Sequence, residues 1–497
     1  MRTTLLLVAA TLASCSDRAP HRPNVLLIGM DTLRADALGF LGAADDATPH
    51  LDALAADGVV FEDATTAAPW TLPSFASILT GLYPEAHGVK ENTDRLASGI
   101  ETVAETLAAA GYDTAAFTGG GHVGTRNGLD AGFATFDTET TSRKFEDRIP
   151  PALEWLARDR ERPWFLFVHA YDVHTPYAPT ERPSSPDGYT PPDSAFATRL
   201  LDRLETSGKA DAPVGAVQVA ALTIEHPRQR AFRQAVFRWS ATLAPSLEQQ
   251  WAEAPEFERE LAWVRANYAA EVTEMDRSLG RLFSALRADG QLDDTLVVLV
   301  SDHGEAFMEH GRLDHTHVDE EVARVPLAII PPGGRAPGAP ARLDTPVRTI
   351  DIAPTVLELC GLPARGATQG RSLAPGMRGE AIPPMPVCCF HHNVGRAEPE
   401  ISIRHAGWKM ILGGTLSKHY GGGRLFHLAS DPGERTNLFH QKNDRLKDLA
   451  RLLRGVRRRS ASLADLFDPE TATLDEAARR ELIELGYVGQ VERTEDE

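Results

Sequence analysis

Several short runs of the chain are apolar almost without a break: NVLLIGM at 24–30, DTAAF at 113–117, FLFVHA at 165–170 and TLVVLVS at 295–301. Each stops abruptly at a polar or glycine residue. A strand with one wet face alternates polar and apolar positions, so unbroken runs predict strands buried on both faces. Between them the apolar positions take helical spacing, as in ETVAETLAAAG at 101–111 and EVTEMDRSLGRLFSALRADG at 271–290, each stopped by glycine. Strands alternating with helices predict an α/β fold whose large sheet is mostly parallel and flanked by helices. In such sheets ligands gather at the carboxyl ends of the strands, which is where Asp31 and Asp302 sit.

Residues 181–262 interrupt this rhythm with PSSPDGYTPPD and then helix-like segments containing Trp239 and Trp251. They read as a helical insertion or lid. Residues 385–427 read as a small strand-rich appendage, and the chain from 441 onward as a charged helical tail ending in ERTEDE. The expected organisation is therefore a leader over 1–15, a catalytic domain over 22–375 and a C-terminal subdomain with its tail over 376–497.

The length of 497 residues allows a large α/β core with an appendage, and a net charge of -19 argues against a nucleic-acid groove. The leader MRTTLLLVAATLASC has one Arg, an apolar run too short to span a bilayer, and small residues before Cys15. LASC resembles the lipobox after which bacteria cleave and lipidate the cysteine; a purely secretory or uncleaved leader is the alternative. With Ser16 next to Cys15, the expectation is an extracytoplasmic, lipid-anchored protein at the outer membrane or in the periplasm of a Gram-negative cell. The remaining cysteines, Cys360, Cys388 and Cys389, are odd in number and form neither a disulfide framework nor a zinc pattern. Cys360, in TVLELCG, reads as a small buried hydrophobe.

Chemistry concentrates at the strand ends. In APWTLPSFASILTG, Pro73 lies in a first helical turn and Gly81 at the stop, which puts Thr71 at or beside the N-cap. Its hydroxyl could cap the helix, or it could attack an anion held by the free amides there. Asp31 closes one strand and Asp302 with His303 another. Unpaired charges at buried strand ends are costly, and a divalent cation held by Asp31, Thr71, Asp302 and His303 removes that cost. The mixed oxygen and nitrogen set favours zinc or manganese ahead of calcium or magnesium. FVHAYDVHTPY adds His169, Asp172 and His174; EHGRLDHTHVDEE adds His310, His315 and His317; TGGGHVG adds His122. His174 and His315 are the candidates for contact with the transferred group or the leaving oxygen, against the plain alternative of structural hydrogen bonding. A second metal on Asp172, His174 and His315 or His317 is a further alternative.

Taken in order, RPNVLLIGMDTLRADALGFLG, the stretch TPHLDALAADGVVFEDATTAAPWTLPSFASILTGLYPEAHGV, HAYDVHTPY, TLVVLVSDHGEAF, VDEEVARVPLAII, RTIDIAPTVLELCGLP, QGRSLAP, LASDPGERTNL and LIELGYVG resemble sulfatases of the alkaline phosphatase superfamily. The resemblance touches nearly the whole chain outside 181–262. It implies a large mixed, mostly parallel sheet with a small C-terminal antiparallel sheet. It also implies a divalent metal on Asp31, Asp302 and His303, and a sulfate- or phosphate-holding role for His174. The chain departs from the pattern at the nucleophile. Sulfatases carry Cys or Ser in C/S-x-P-S-R and convert it to formylglycine, whereas this chain has Thr71 and, in place of the arginine, Phe75. A threonine carries a methyl where the aldehyde must form. Thr32 replaces the second aspartate of the opening pair, and the lysine-bearing segment is reduced to TGGGHVG. An unmodified threonine is similar instead to phosphodiesterases, phosphoethanolamine transferases and lipoteichoic-acid synthases of the same superfamily.

The resulting expectation is a metal-dependent hydrolase of phosphate mono- or diesters in which Thr71 forms a covalent intermediate. The substrate would be a small molecule or a glycan or lipid ester. A sulfuric ester hydrolase working without formylglycine, and a catalytically silent glycan-binding protein, are the alternatives.

Overall fold

The computed structural model describes residues 22–473 and 475, apart from 44–46, 141, 241–246, 364–365, 393–398, 415–421 and 442. The leader with Cys15, the LIELGYVG motif and the acidic end lie outside the described residues. No helix among the described residues is long and apolar enough to cross a membrane.

An eight-stranded sheet forms the centre. Its strands are β1 (Asn24–Met30), β2 (Val59–Phe61), β3 (Asp113–Phe117), β4 (Thr135–Asp137), β5 (Trp164–Ala170), β6 (Thr295–Ser301), β7 (Leu327–Ile330) and β8 (Arg342–Leu343). They run side by side in the order β8-β2-β7-β6-β1-β5-β3-β4. All neighbours are parallel except β7, which is antiparallel to both β6 and β2. The four apolar runs of the sequence are β1, β3, β5 and β6, the middle of the sheet.

Continuous apolar runs arise because both faces are covered. Val25, Leu27, Phe165, Phe167, Val298 and Val300 face one core, shared with α1 (Thr71–Thr80), α2 (Val103–Ala109) and α9 (Ile352–Leu359). Leu26, Ile28, Leu166, Val168, Val297 and Leu299 face the other, shared with α3 (Phe145–Leu156) and α8 (Phe257–Ala288). Helix α8 is 32 residues long and starts well before the expected 271, inside the stretch read as an insertion. That stretch otherwise forms α4 (Ser194–Ser207), α5 (Val214–Thr223), α6 (Gln229–Ser240) and α7 (Leu247–Ala252).

The C-terminal part is a four-stranded antiparallel sheet, β9 (Val387–His391), β10 (Glu400–His405), β11 (Trp408–Gly413) and β12 (Arg424–His427), backed by α10 (Asn443–Ala464). Cys388, Phe390, Ile403, Met410 and Leu425 of the sheet pack on Leu449 and Leu453 of the helix. Cys360, Cys388 and Cys389 are buried free thiols. Buried ion pairs join this sheet to the loop that follows β6. Lys409 of β11, with 0% exposure, sits 2.8 Å from Glu320 Oε1 and 2.9 Å from Glu434 Oε1. Arg424 pairs with Asp319, and Arg312 with Glu400 at 2.7 Å.

Removing one member of a buried ion network leaves its partners desolvated and uncompensated, which costs about 3–5 kcal/mol. Lys409→Ala should therefore lower stability by about that amount in denaturant unfolding. A loss under ~1 kcal/mol, the size of a surface pair, would show that the seam contributes little.

Candidate active site

Register builds the site. Met30 of β1 pairs with Ser301 of β6 on one side and Ala170 of β5 on the other, so the residues that follow all emerge at one edge. Asp31, Asp302 and His303 come together there with their ligand atoms all within 4.8 Å of one another, and all three are buried. Thr32 and three serine or threonine hydroxyls fix them. The Thr32 amide donates to Asp302 Oδ1 at 3.2 Å and its hydroxyl to Asp31 Oδ1 at 3.2 Å. Thr32 does this at a positive φ of 54°, a conformation that β-branched residues rarely adopt. Ser301 Oγ donates to the His303 carbonyl at 2.7 Å, and Ser74 Oγ to the Asp302 carbonyl at 2.8 Å, with Thr66 Oγ1 2.9 Å behind Ser74. Thr32, Ser74 and Ser301 carry no motif that marks them as ligand supports; only the place of Ser74, one turn after Thr71, hints at it.

Thr71 is the first residue of α1 rather than its cap. Trp70 occupies the cap position and makes no side-chain capping bond. The Thr71 hydroxyl is fully buried and has no hydrogen-bond partner among the described residues, so the capping alternative is not what the structure shows. Helix α1 reaches the sheet because residue 29 is glycine: a Cβ there would lie 2.7 Å from Phe75 Cε1 and 3.1 Å from Phe167 Cε2. Phe75 fills that gap and packs edge-on to His169, with ring centres 4.7 Å apart.

The histidines separate into groups. His303 donates Nδ1–H to the Gly304 carbonyl at 2.9 Å, which leaves Nε2 as the free lone pair on the side of Asp302 Oδ2, 3.2 Å away. His315 stacks on His303 at 4.3 Å, and His174 lies 5.4 Å from His315. His315 Nδ1 is 2.7 Å from Asp314 Oδ1 and 3.5 Å from Glu305 Oε1. His174 donates Nδ1–H to the Thr175 carbonyl at 3.0 Å. His169 Nε2 is 3.4 Å from Asp31 Oδ2, and His122 packs edge-on to Trp70 at 5.3 Å. His317 instead joins Asp319 at 2.9 Å, and His310 joins Glu321 at 3.5 Å. The second-metal grouping of Asp172 with His174 and His315 or His317 is not formed: Asp172 accepts the Phe145 amide at 2.9 Å, and His317 falls in a separate group with Asp319 and Glu321.

The electrostatics fit a cation. Burial and the facing Asp31 carboxylate push Asp302 well above the usual carboxylate range. Asp31 is held below it despite burial, by the His169 hydrogen bond and by His303 and His174. Like charges sealed in one dry pocket cannot both ionise without a counter-charge. Burial pushes His303 down to about 3 and, with smaller contributions from His315 and Arg233, pushes His174 down to about 4, so both rings are neutral at pH 7. Two carboxylates and one outward imidazole lone pair make a donor set suited to a divalent cation.

Comparison with known proteins shows the family. The family profile described as Sulfatase matches residues 23–362. The chain belongs to the sulfatase family of ester-bond hydrolases. A second profile, described as N-sulphoglucosamine sulphohydrolase, C-terminal, matches residues 308–458. An ulvan-active sulfatase of Formosa agariphila is 30% identical over 393 residues, covering 75% of this sulfatase-family chain and 70% of the relative. The multifunctional alkaline phosphatase superfamily protein PehA of Trinickia caryophylli is 29% identical over 405 residues, covering 71% and 77%. Among solved structures, a phosphonate monoester hydrolase of Agrobacterium radiobacter shares the fold with a TM-score of 0.62 at 22% identity, covering 92% of this chain and 99% of that one.

Beneath the loop that carries His174, burial pushes Asp172 up from 3.8 to about 7, offset in part by the Phe145 amide and by Lys144. An acid raised in the folded state holds its proton there after the unfolded chain has lost it. Its favourable share is thus complete below 3.8 and lost as pH rises through about 7. Asp172→Asn, which keeps an acceptor for Phe145, should gain melting temperature over the parent at pH 8 relative to pH 4. A difference that does not change with pH contradicts the buried-acid reading.

Proposed function

We propose that the protein hydrolyses phosphate esters, mono- or diesters, with Thr71 as the nucleophile. The observation that carries this is the Thr71 hydroxyl: fully buried, bonded to nothing among the described residues, on the first turn of a helix whose Ser74 braces Asp302. A buried hydroxyl without a partner carries a penalty of about 1–3 kcal/mol, which a structural role does not offset.

Asp31, Thr71, Asp302 and His303 would hold the cation, zinc or manganese by their donor types. Bound there, it would supply the positive charge that lowers the hydroxyl pKa and neutralises the ester. Oγ of Thr71 attacks phosphorus; the bond to the leaving alkoxide breaks and a phospho-threonine forms. Free amides at the start of α1 face the phosphoryl oxygens. His174, neutral and with Nδ1 committed to a carbonyl, suits accepting a proton at Nε2. His315, with Nδ1 against Asp314 and Glu305, suits giving one to the leaving oxygen. Water then releases phosphate, or a phosphate monoester where the substrate was a diester, and restores the hydroxyl.

Sulfate esters are the second reading, favoured by the sulfatase names of relatives such as the ulvan-active enzyme. Removing the hydroxyl tests the nucleophile and a substrate pair tests the ester. Thr71→Ala should cut kcat on an aryl phosphate by at least ~1,000-fold without changing the melting temperature much, while Thr71→Ser retains turnover. Purified protein should prefer the aryl phosphate to the matching aryl sulfate. An unchanged Thr71→Ala rate removes the nucleophile assignment, and a large preference for sulfate moves the substrate to the second reading.

A further inference from the structure

Helices α4 and α6, with one side of α5, build a core of their own. Phe232, Ala235, Val236 and Trp239 of α6 pack with Leu204 of α4 and Val217 of α5 into a core separate from the two that cover the sheet. This helical layer is tied to the loop after β5. The Tyr177 amide donates to the Leu222 carbonyl at 2.6 Å, and Arg182 to the Thr223 carbonyl at 2.8 Å. A third tie ends at the reacting edge. Arg233, next to Phe232 on α6, donates Nη2–H to the Thr175 carbonyl at 2.5 Å and to Thr175 Oγ1 at 3.2 Å. The same carbonyl receives His174 Nδ1–H at 3.0 Å. A guanidinium from the helical layer and an imidazole from the sheet edge therefore meet on one oxygen.

We propose that Arg233 is an anion-binding residue of this site, contacting the non-bridging oxygens of the phosphoryl or sulfuryl group, so that the helical layer supplies part of the recognition. The inference rests on reading the Thr71 edge as the reacting site. Its physical basis is local. At position 75, helix α1 offers a phenyl ring locked against Gly29 and His169, not a cation. A guanidinium is charged at every accessible pH, and its planar fork matches paired oxygens on phosphorus or sulfur. Arg233 is half-buried, where salt screens a charge less than at the open surface.

The test is calorimetric titration of the full chain, loaded with manganese or zinc, with inorganic phosphate and separately with sulfate. Arg233→Ala removes the charge and the contact. Arg233→Gln keeps a donor for Thr175 and guards against a simple packing effect. Arg228→Ala, whose parent side chain pairs with Glu205 at 2.7 Å on the exposed side of the layer, is the control. Both Arg233 variants should weaken phosphate binding about 10- to 100-fold, the range of one charge-assisted hydrogen bond, and the control should bind as the parent does. The proposal is overturned if the Arg233 variants bind within about threefold of the parent, or if the parent binds neither anion. Should Thr71→Ala prove fully active while phosphate binding still depends on Arg233, the nucleophile assignment fails and the anion contact stands.

Discussion

Asp31 and Asp302 end adjacent parallel strands, and the pairing of Met30 with Ser301 leaves their carboxyl groups no choice but to face each other in a buried pocket. Much of the local architecture is arranged around that repulsion. Thr32 gives a hydrogen bond to each carboxylate from an unfavourable backbone conformation, His169 leans on one, and the hydroxyls of Ser74 and Ser301 hold the loop carrying the other. Such supports keep the two oxygens aimed inward but add no full positive charge. What they prepare is a space in which a small, doubly charged ion is the cheapest remedy.

Neutral imidazoles follow from the same burial. Burial dominates the shifts of His303 and His174, and each ring uses Nδ1 on the carbonyl of the next residue, so Nε2 is left as a lone pair. One short backbone contact thus fixes both the tautomer and the direction of each ring. Thr71 opens a helix that the absence of a side chain at Gly29 allows to press against β1, and Ser74 of that helix braces the Asp302 carbonyl.

The middle of the sheet was legible because its strands are apolar on both faces; β1, β3 and β6 were readable to the residue, and β5 to within one. The sheet's margins were not. Strands of two to four residues, such as β2, β7 and β8, are too short for periodicity to register, and the antiparallel course of β7 depends on contacts remote in sequence. Asp31, Asp302 and His303 could be joined from their shared position after strands. The split between His315 and His317 could not, because two residues in a loop have no fixed period; the structure turns one onto His303 and the other onto Asp319. Arg233 carried no signal at all, since its meaning lies in a contact 58 residues away.

The separate core of the helices between 194 and 252 has an evolutionary corollary. Val219 of α5 and Trp251 of α7 pack into the core that covers the sheet, but the interior lined by α4 and α6 is the layer's own, free to be rewritten, residue by residue, without unravelling the machinery below. Diversification of what is accepted can then proceed on one module while the bond-breaking apparatus stays constant.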